Sequence, residues 1–391
     1  MKLNPMAFLL TAAVTVVGFS PVLAQVPAAK APAAKAKAPS TGDIVIGHVS
    51  GYTGPASNDA NQMGAGAQVL IDAVNERGGF NGRKFKLLVA DDQFKPDNTV
   101  QMIGDMKGTA IALLPITGSA NAAALVKANN LAVPLVGTIP APDIVREWQN
   151  PNVFHIRASD REQAERVLEQ QLTIGLTKIA LLVPNNPSGE QLTKLTEAYL
   201  TKRNLKLAAN AVYLLAGPKV DLEPGMKALE GKDFQAVIVF GPPPILAQAV
   251  KAVKTAGVTA QLYVFSYADA SLIVKVAGKE FAHGVAIAQV MPNISNKTLG
   301  IVKEFQENWA KYAKDKGAPT FFNIEGYISA KLIVEAVRRS KDASPEGVRR
   351  GLEMMSKYDL GGYLIDFSPS KHWGSQFIEL SLIGGSGRLV Y

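Results

Sequence analysis

Cysteine is absent from the 391-residue sequence. That absence excludes disulfide scaffolds, thiolate zinc sites, iron–sulfur clusters, cysteine nucleophiles and lipid attachment through a cysteine. Histidine is scarce: His48, His155, His283 and His372 stand far apart, without the HExxH spacing of a histidine metal site. No metal ion is therefore expected. Beyond the first two dozen residues, no segment approaches the roughly 18 uninterrupted apolar residues of a spanning helix. Enzyme motifs are missing too: there is no GxSxG elbow, no GxxxxGK[ST] loop and no GxGxxG after the first strand. Neither a catalytic residue nor a cofactor is expected.

Lysine and arginine exceed aspartate and glutamate, 41 against 33. Half of that excess is Lys2, Lys30, Lys35 and Lys37, in a leading segment that holds no acid. The rest is interspersed with acids, a solvated surface rather than the clustered basic face of a nucleic-acid binder. The leading segment itself reads as an address. Lys2 precedes an apolar stretch from Met6 to Phe19, and Val22-Leu23-Ala24 places small residues before Gln25. Residues 1–24 are expected to be a secretory signal peptide cleaved after Ala24. Residues 25–42, rich in Ala, Pro and Lys, read as an extended tether without an apolar face. The mature chain is expected to be exported, with no stable membrane anchor.

From Asp43 onward, short apolar runs alternate with helical patterns. Ile44–Gly47, Phe85–Ala90, Ile111–Leu114 and Leu131–Val136 read as strands, with helices between them. A second series follows: helix 161–174, strand 178–183, helix 189–204, strand 207–215, helix 221–230, strand 236–240, helix 244–256 and strand 262–265. Continuous apolar strands each followed by a helix indicate parallel sheets covered on both faces. Two such series give an α/β fold of two doubly wound lobes. The last third has long helices (298–315, 321–340, 345–355) but only the strands 363–367 and 377–383, too few for a third lobe. It is expected to complete the other two, so that the first lobe is 43–158 plus 290–367 and the second 159–289 plus 368–391. Chain crossings near 156–160, 288–292 and 367–371 would form a three-segment hinge beside a cleft.

Ligands of open α/β sheets bind beyond the carboxyl ends of the strands. In the first lobe those loops are Ser50–Asp59, Thr117-Gly118-Ser119 at the start of a helix, and Gly137-Thr138-Ile139-Pro140. Hydroxyls together with free N–H groups at a helix start suit a carboxylate. Plain helix capping by Thr117 or Ser119 is the alternative. The second lobe offers Asn185–Gly189 with Ser188, the run Gly241-Pro242-Pro243-Pro244, and Ser266-Tyr267-Ala268-Asp269. The prolines start a helix or wall a pocket, and Tyr267 caps the sheet or meets a ligand. Asp91-Asp92, beside Lys95, read as a turn and a solvated face.

Several segments together carry a family likeness. They are Thr53-Gly-Pro55, Asp72-Ala-Val-Asn-Glu-Arg-Gly-Gly79 with Asn81-Gly-Arg83, Arg157-Ala-Ser159, Gln289-Val-Met-Pro292, Glu325-Gly-Tyr327 with Ala330, Phe367-Ser-Pro369 and His372-Trp-Gly-Ser375. In this order, over residues 43–391, the chain resembles the type I periplasmic binding proteins of ABC importers, in the leucine/isoleucine/valine-binding branch. The resemblance implies a two-lobe clamshell in the periplasm, closing on a small-molecule ligand and presented to an importer permease with its ATPase. It implies that Thr117, Gly118 and Ser119 and the Thr138-Ile139 loop hold a ligand carboxylate, with Asn58 or Asp59 covering it. From the second lobe it implies contacts near Ser188, near Pro242 or Pro243, and near Ser266-Tyr267, with Asn185 offered by the loop itself.

The chain departs from the family pattern at several of these places. Pro140 stands where relatives often carry a hydroxyl, and Ser188 and the proline run replace aromatics. No carboxylate stands at 266–267 to neutralise an ammonium group; either Asp59, Glu325 or Asp269 takes that role, or the ligand lacks an α-amino group. The expected ligand is therefore a small polar, carboxylate-bearing, amino-acid-like solute of unspecified identity. A clamshell sensor reporting to a receptor and an exported α/β enzyme are the rival readings.

Overall fold

Residues 44–50 are buried along their whole length, so this strand, β1 (Ile44–Ser50), must be covered on both faces. The computed structural model describes residues 42–54, 56–139, 143–216, 219–267 and 270–391. The expected signal peptide and tether fall almost wholly outside the described residues, as do Pro55, Pro140 and Asp269. After β1 come α1 (Ser57–Glu76), β2 (Phe85–Asp91), α2 (Pro96–Asp105), β3 (Ala112–Leu113), β4 (Ile116–Thr117), α3 (Ser119–Ala128), β5 (Leu135–Val136), β6 (Thr138–Ile139), α4 (Asp143–Arg146) and β7 (Val153–Phe154). Five strands form an all-parallel sheet in the order β2-β1-β3-β5-β7. Along β1 the side chains alternate between two cores: Ile44 and Ile46 enter one, Val45 and Val49 the other. β4 and β6 continue β3 and β5 as a separate parallel pair, beyond Pro115 and Gly137.

The second series is α5 (Asp160–Thr173), β8 (Ile179–Pro184), α6 (Pro187–Thr201), β9 (Ala209–Ala216), β10 (Lys219–Asp221), α7 (Glu223–Leu229), β11 (Ala236–Val239), α8 (Pro243–Thr255), β12 (Gln261–Phe265), α9 (Ala270–Ala277), α10 (Lys279–Ala282) and β13 (Ala286–Gln289). The chain then adds α11 (Gly300–Tyr312), α12 (Phe321–Ser340), α13 (Pro345–Glu353) and a small hairpin, β14 (Tyr358–Asp359) with β15 (Leu364–Ile365). It ends in β16 (Glu379–Ile383) and β17 (Leu389–Val390). The second sheet has the order β10-β9-β8-β11-β12-β13-β16-β17. Its five central strands are parallel as expected, whereas β10, β16 and β17 pair antiparallel at the two edges.

α12 lies far along the chain yet packs on α1 in the first lobe. A Cβ on Gly66 would sit 1.8 Å from the Asn323 carbonyl oxygen, and one on Gly326 2.0 Å from that of Met63. The two helix backbones therefore touch, and only glycine permits it. The buried Tyr363 directs its hydroxyl to the carbonyls of Ile156 (2.6 Å) and Val290 (3.2 Å), tying the first two crossings together. The third crossing lies after Gly374 rather than at 367–371. The segment 367–371 makes only a tight turn, with Ser368 and Lys371 exchanging backbone hydrogen bonds. His372 and Gly374 then pair with His155 at the edge of the first sheet (2.8 Å each). One apolar cluster is common to both lobes: Met63, Ile139 and Phe322 meet Phe240, Phe265 and Tyr267. No helix among the described residues is long and apolar enough to cross a membrane.

Candidate functional site

A cavity of about 160 Å³ lies where the two lobes meet. The first lobe lines it with Ala56, Asp59, Phe94, Thr117, Gly118, Ser119 and Ile139. The second contributes Asp160, Pro184, Asn186, Ser188, Phe240, the run Gly241–Pro244, and Tyr267. Among these described lining residues there is no lysine, arginine or histidine.

On the first lobe, the break after β3 brings Thr117 to the cavity and starts α3. The N-cap of α3 is Gly118, at φ 94°, and no side chain caps the helix. Capping by Thr117 or Ser119 is therefore not what the structure shows. The first-turn N–H groups keep their donor capacity beside the Ser119 hydroxyl. The Thr117 hydroxyl is buried and bonds that of Ser50 at 2.8 Å, while the Gly118 N–H donates to the Ile139 carbonyl at 2.8 Å. Asp59, buried in the first turn of α1, accepts from the Asn58 amide at 3.3 Å.

On the second lobe, a capping box fixes the start of α5. Ser159 Oγ accepts the Glu162 N–H (3.1 Å), and Glu162 Oε2 accepts the Ser159 N–H (2.7 Å). That fixed first turn presents Asp160, whose carboxylate accepts the Tyr267 hydroxyl. The Tyr267 ring packs edge-on against Phe240, with centroids 6.0 Å apart. Asn186 caps α6, accepting the Gly189 N–H at 3.0 Å, and so sets Ser188 beside the prolines.

Of the residues singled out in the sequence, Asp59, Thr117, Gly118, Ser119, Ile139, Ser188, Pro242 and Tyr267 line the cavity. Five do not. Asn58 is exposed and braces Asp59 and Gln62. Thr138 alternates with Ile139 along β6, so its hydroxyl points away, toward His155 Nδ1 (3.3 Å). The Asn185 side chain accepts the Leu215 N–H at 2.6 Å. Ser266 lies behind Tyr267, bonded to Gln163 (2.9 Å) and Arg157 (2.5 Å). Glu325 is buried against Arg157, with 3.7 Å between Oε1 and Nε, and so does not serve the cavity. Burial pushes the Glu325 carboxyl above its usual pKa, and Arg157 opposes that rise.

Asn186 lies in the loop Asn185–Gly189 that the sequence points to, whereas Phe94, Asp160 and Phe240 escape a reading of the sequence. Phe240 is the last residue of an apolar run and looks like core. Phe94 depends on a turn whose true character the sequence hides. Asp91 and Asp92 do make a turn, but Asp92 is fully buried rather than solvated. It accepts the Phe94 N–H (2.8 Å), the Thr99 hydroxyl (2.6 Å) and the Asn121 amide (3.2 Å). Desolvation raises its pKa.

A profile of the family described as periplasmic binding protein matches residues 43–378. Among curated proteins, the Leu/Ile/Val-binding protein BraC3 of Rhizobium johnstonii is 34% identical over 126 residues, 32% of this chain. The chain spans only about a third (34%) of that relative's length. The solved structure of a substrate-binding periplasmic protein from Ralstonia solanacearum is 30% identical, with a TM-score of 0.81 over 89% of this chain and 99% of that one. An extracellular ligand-binding receptor from Verminephrobacter eiseniae is 28% identical, with a TM-score of 0.82 over 89% and 100%.

Proposed function

Because the chain belongs to the periplasmic binding protein family, we propose that it is the solute-binding component of an ABC importer. Its solute is amino-acid-like, with a carboxylate, a positively charged nitrogen and an apolar side chain. The observation that carries this reading is how the cavity divides between the lobes. One lobe offers hydroxyls and a helix start, a seat for a carboxylate. The cavity is also lined by the carboxyl groups of Asp59 and Asp160, acceptors that can take an N–H from a solute's ammonium group. Phe94, Ile139, Phe240 and the prolines leave apolar wall for a hydrocarbon substituent. The name Leu/Ile/Val-binding, borne by a relative, agrees with such a solute.

A solute that touches both lobes binds the closed arrangement more tightly than the open one and shifts the population toward it. The closed form is then what an importer permease and its ATPase would receive. Cleavage after Ala24 and release into the periplasm without a lipid belong to the same reading. The described lining supplies positioning groups, in keeping with a solute that is bound and released unchanged.

Native mass spectrometry of the purified protein, followed by a thermal-shift panel of amino acids, short-chain carboxylates, aromatic acids and amides, tests this. At least one amino acid is expected to raise the melting temperature. Thr117→Val and Ser119→Ala are each expected to weaken its binding roughly 10- to 100-fold, the worth of a hydrogen bond to a charged group. Unchanged affinity in both variants would remove the seat, and no response to any solute would remove the binding role.

A further inference from the structure

Phe94 is a cavity residue that no hydrophobic core claims. It is half-buried and is not part of any of the apolar clusters that fill the two lobes. Yet its backbone is in the left-handed region, at φ 60°, and so is that of Gln93 at φ 56°. Two successive non-glycine residues hold that conformation only where their surroundings over-determine it. Here the buried Asp92 carboxylate does so, accepting the Phe94 N–H while it also anchors the α3 residue Asn121. The ring is placed as firmly as the backbone. It lies in a slot between Gly51 and Gly118, on two different loops. A Cβ on Gly118 would come within 2.7 Å of Phe94 Cε2 and 2.9 Å of Cζ, and one on Gly51 within 3.3 Å of Cδ2.

The ring tip thus stands against the residue that caps α3, in the wall of the cavity beside Thr117 and Ser119. Resting on the amino-acid-like reading above, we infer that Phe94 is a specificity-determining residue, a fixed wall limiting the bulk a solute carries next to its carboxylate. Tyr267 and Phe240 belong to the opposite lobe, and their distance from the carboxylate seat changes as the lobes open. Phe94 belongs to the same lobe as the seat, so its distance does not. It therefore selects at first contact, before closure, and favours solutes whose substituent is slender near the carboxylate.

Titration calorimetry on wild type, Phe94→Ala and Phe94→Leu with L-alanine, L-valine, L-leucine and L-phenylalanine tests the inference. Melting curves report whether each variant is folded. The ratio of affinities, bulkiest over smallest, is expected to rise at least 10-fold in Phe94→Ala, within the range that one pocket contact commands. Phe94→Leu should fall between it and wild type, and supplies the ratio by itself if the alanine variant fails to fold. If wild type binds members of the series and the ratio stays put in the folded variants, this inference is overturned while the solute class survives. If wild type binds none of them, the reading of the solute class fails and this inference falls with it.

Discussion

Arg157→Met is expected to cost the protein about 3–5 kcal/mol of stability, the usual loss when one partner of a buried ion pair is removed. Arg157 and Glu325 are among the least accessible charged side chains, 1% and 2% exposed. The guanidinium donates from Nη2 to Ser266 Oγ and lies 5.6 Å from the centroid of the Tyr267 ring. Its Nε and Nη1 find no hydrogen-bond partner among the described residues, nor does Glu325 Oε1. The pair is therefore held by charge at 3.7 Å and little else. Removing either member strands the other in a medium that cannot solvate it.

Replacing both members should restore most of that loss, because Arg157→Met with Glu325→Met leaves no charge to desolvate. Urea unfolding of the two single variants and the double variant measures this. A double variant no better than the singles would mean that Arg157 acts by its bulk alone. The pH dependence gives a second check. The pKa of Glu325 is raised in the folded state by burial, so its contribution is whole below the unfolded value near 4.5 and is lost as pH rises through the folded value. The Arg157→Met deficit should accordingly be smaller at pH 4.5 than at pH 7. The pair also has a place in the functional reading of the cleft. It joins a helix of the first lobe to the loop that carries Tyr267, through the first crossing between lobes.

Much of this architecture is legible in the order of the amino acids. Continuous apolar runs such as Ile179–Val183 can only be strands covered on both sides, and both lobes follow from counting them. The loops after those strands carry Thr117 to Ser119, Ser188, Pro242 and Tyr267, where an open α/β sheet places its ligand contacts. What escapes depends on long-range pairing. Nothing local marks Glu325 as the partner of a buried arginine rather than of a ligand. Nothing local tells that Asp92 is buried, since Asp-Asp-Gln-Phe has the composition of a solvated turn. Thr138 is a different case: it and Ile139 are neighbours on a strand, so only one of them can face the cavity, and alternation alone separates them.

The protein should also lose stability in mild acid, by roughly 3 kcal/mol between pH 6.5 and 4 from His48 alone. His48 is fully buried in β1, and its neutral form is dictated by its neighbours. The Pro115 carbonyl can only accept, so Nε2 carries the proton and donates to it at 3.0 Å. Nδ1 then accepts the Tyr52 hydroxyl at 2.6 Å. Burial lowers the pKa from 6.5 to about 4, with the Pro115 bond a smaller opposing influence. An unfolded chain therefore takes up a proton below pH 6.5 that the folded chain refuses until about pH 4. Stability is whole above that window and declines as pH falls through it. His155 adds in the same direction, driven down first by burial and then by the charge of Arg146. Both histidines brace the segments that carry the carboxylate seat: His48 holds Pro115 at the entry to β4, and His155 holds Thr138 in β6. Acid should therefore loosen the seat before the second lobe, and bound solute should oppose it by mass action. Urea midpoints at pH 7 and pH 4.5 give the size of the effect. His48→Gln, which keeps a donor for Pro115, should flatten the slope between them. A His48 ring resonance that titrates near pH 6.5, or the same change of midpoint between the two pH values in wild type and His48→Gln, would show that the buried ring is not held neutral.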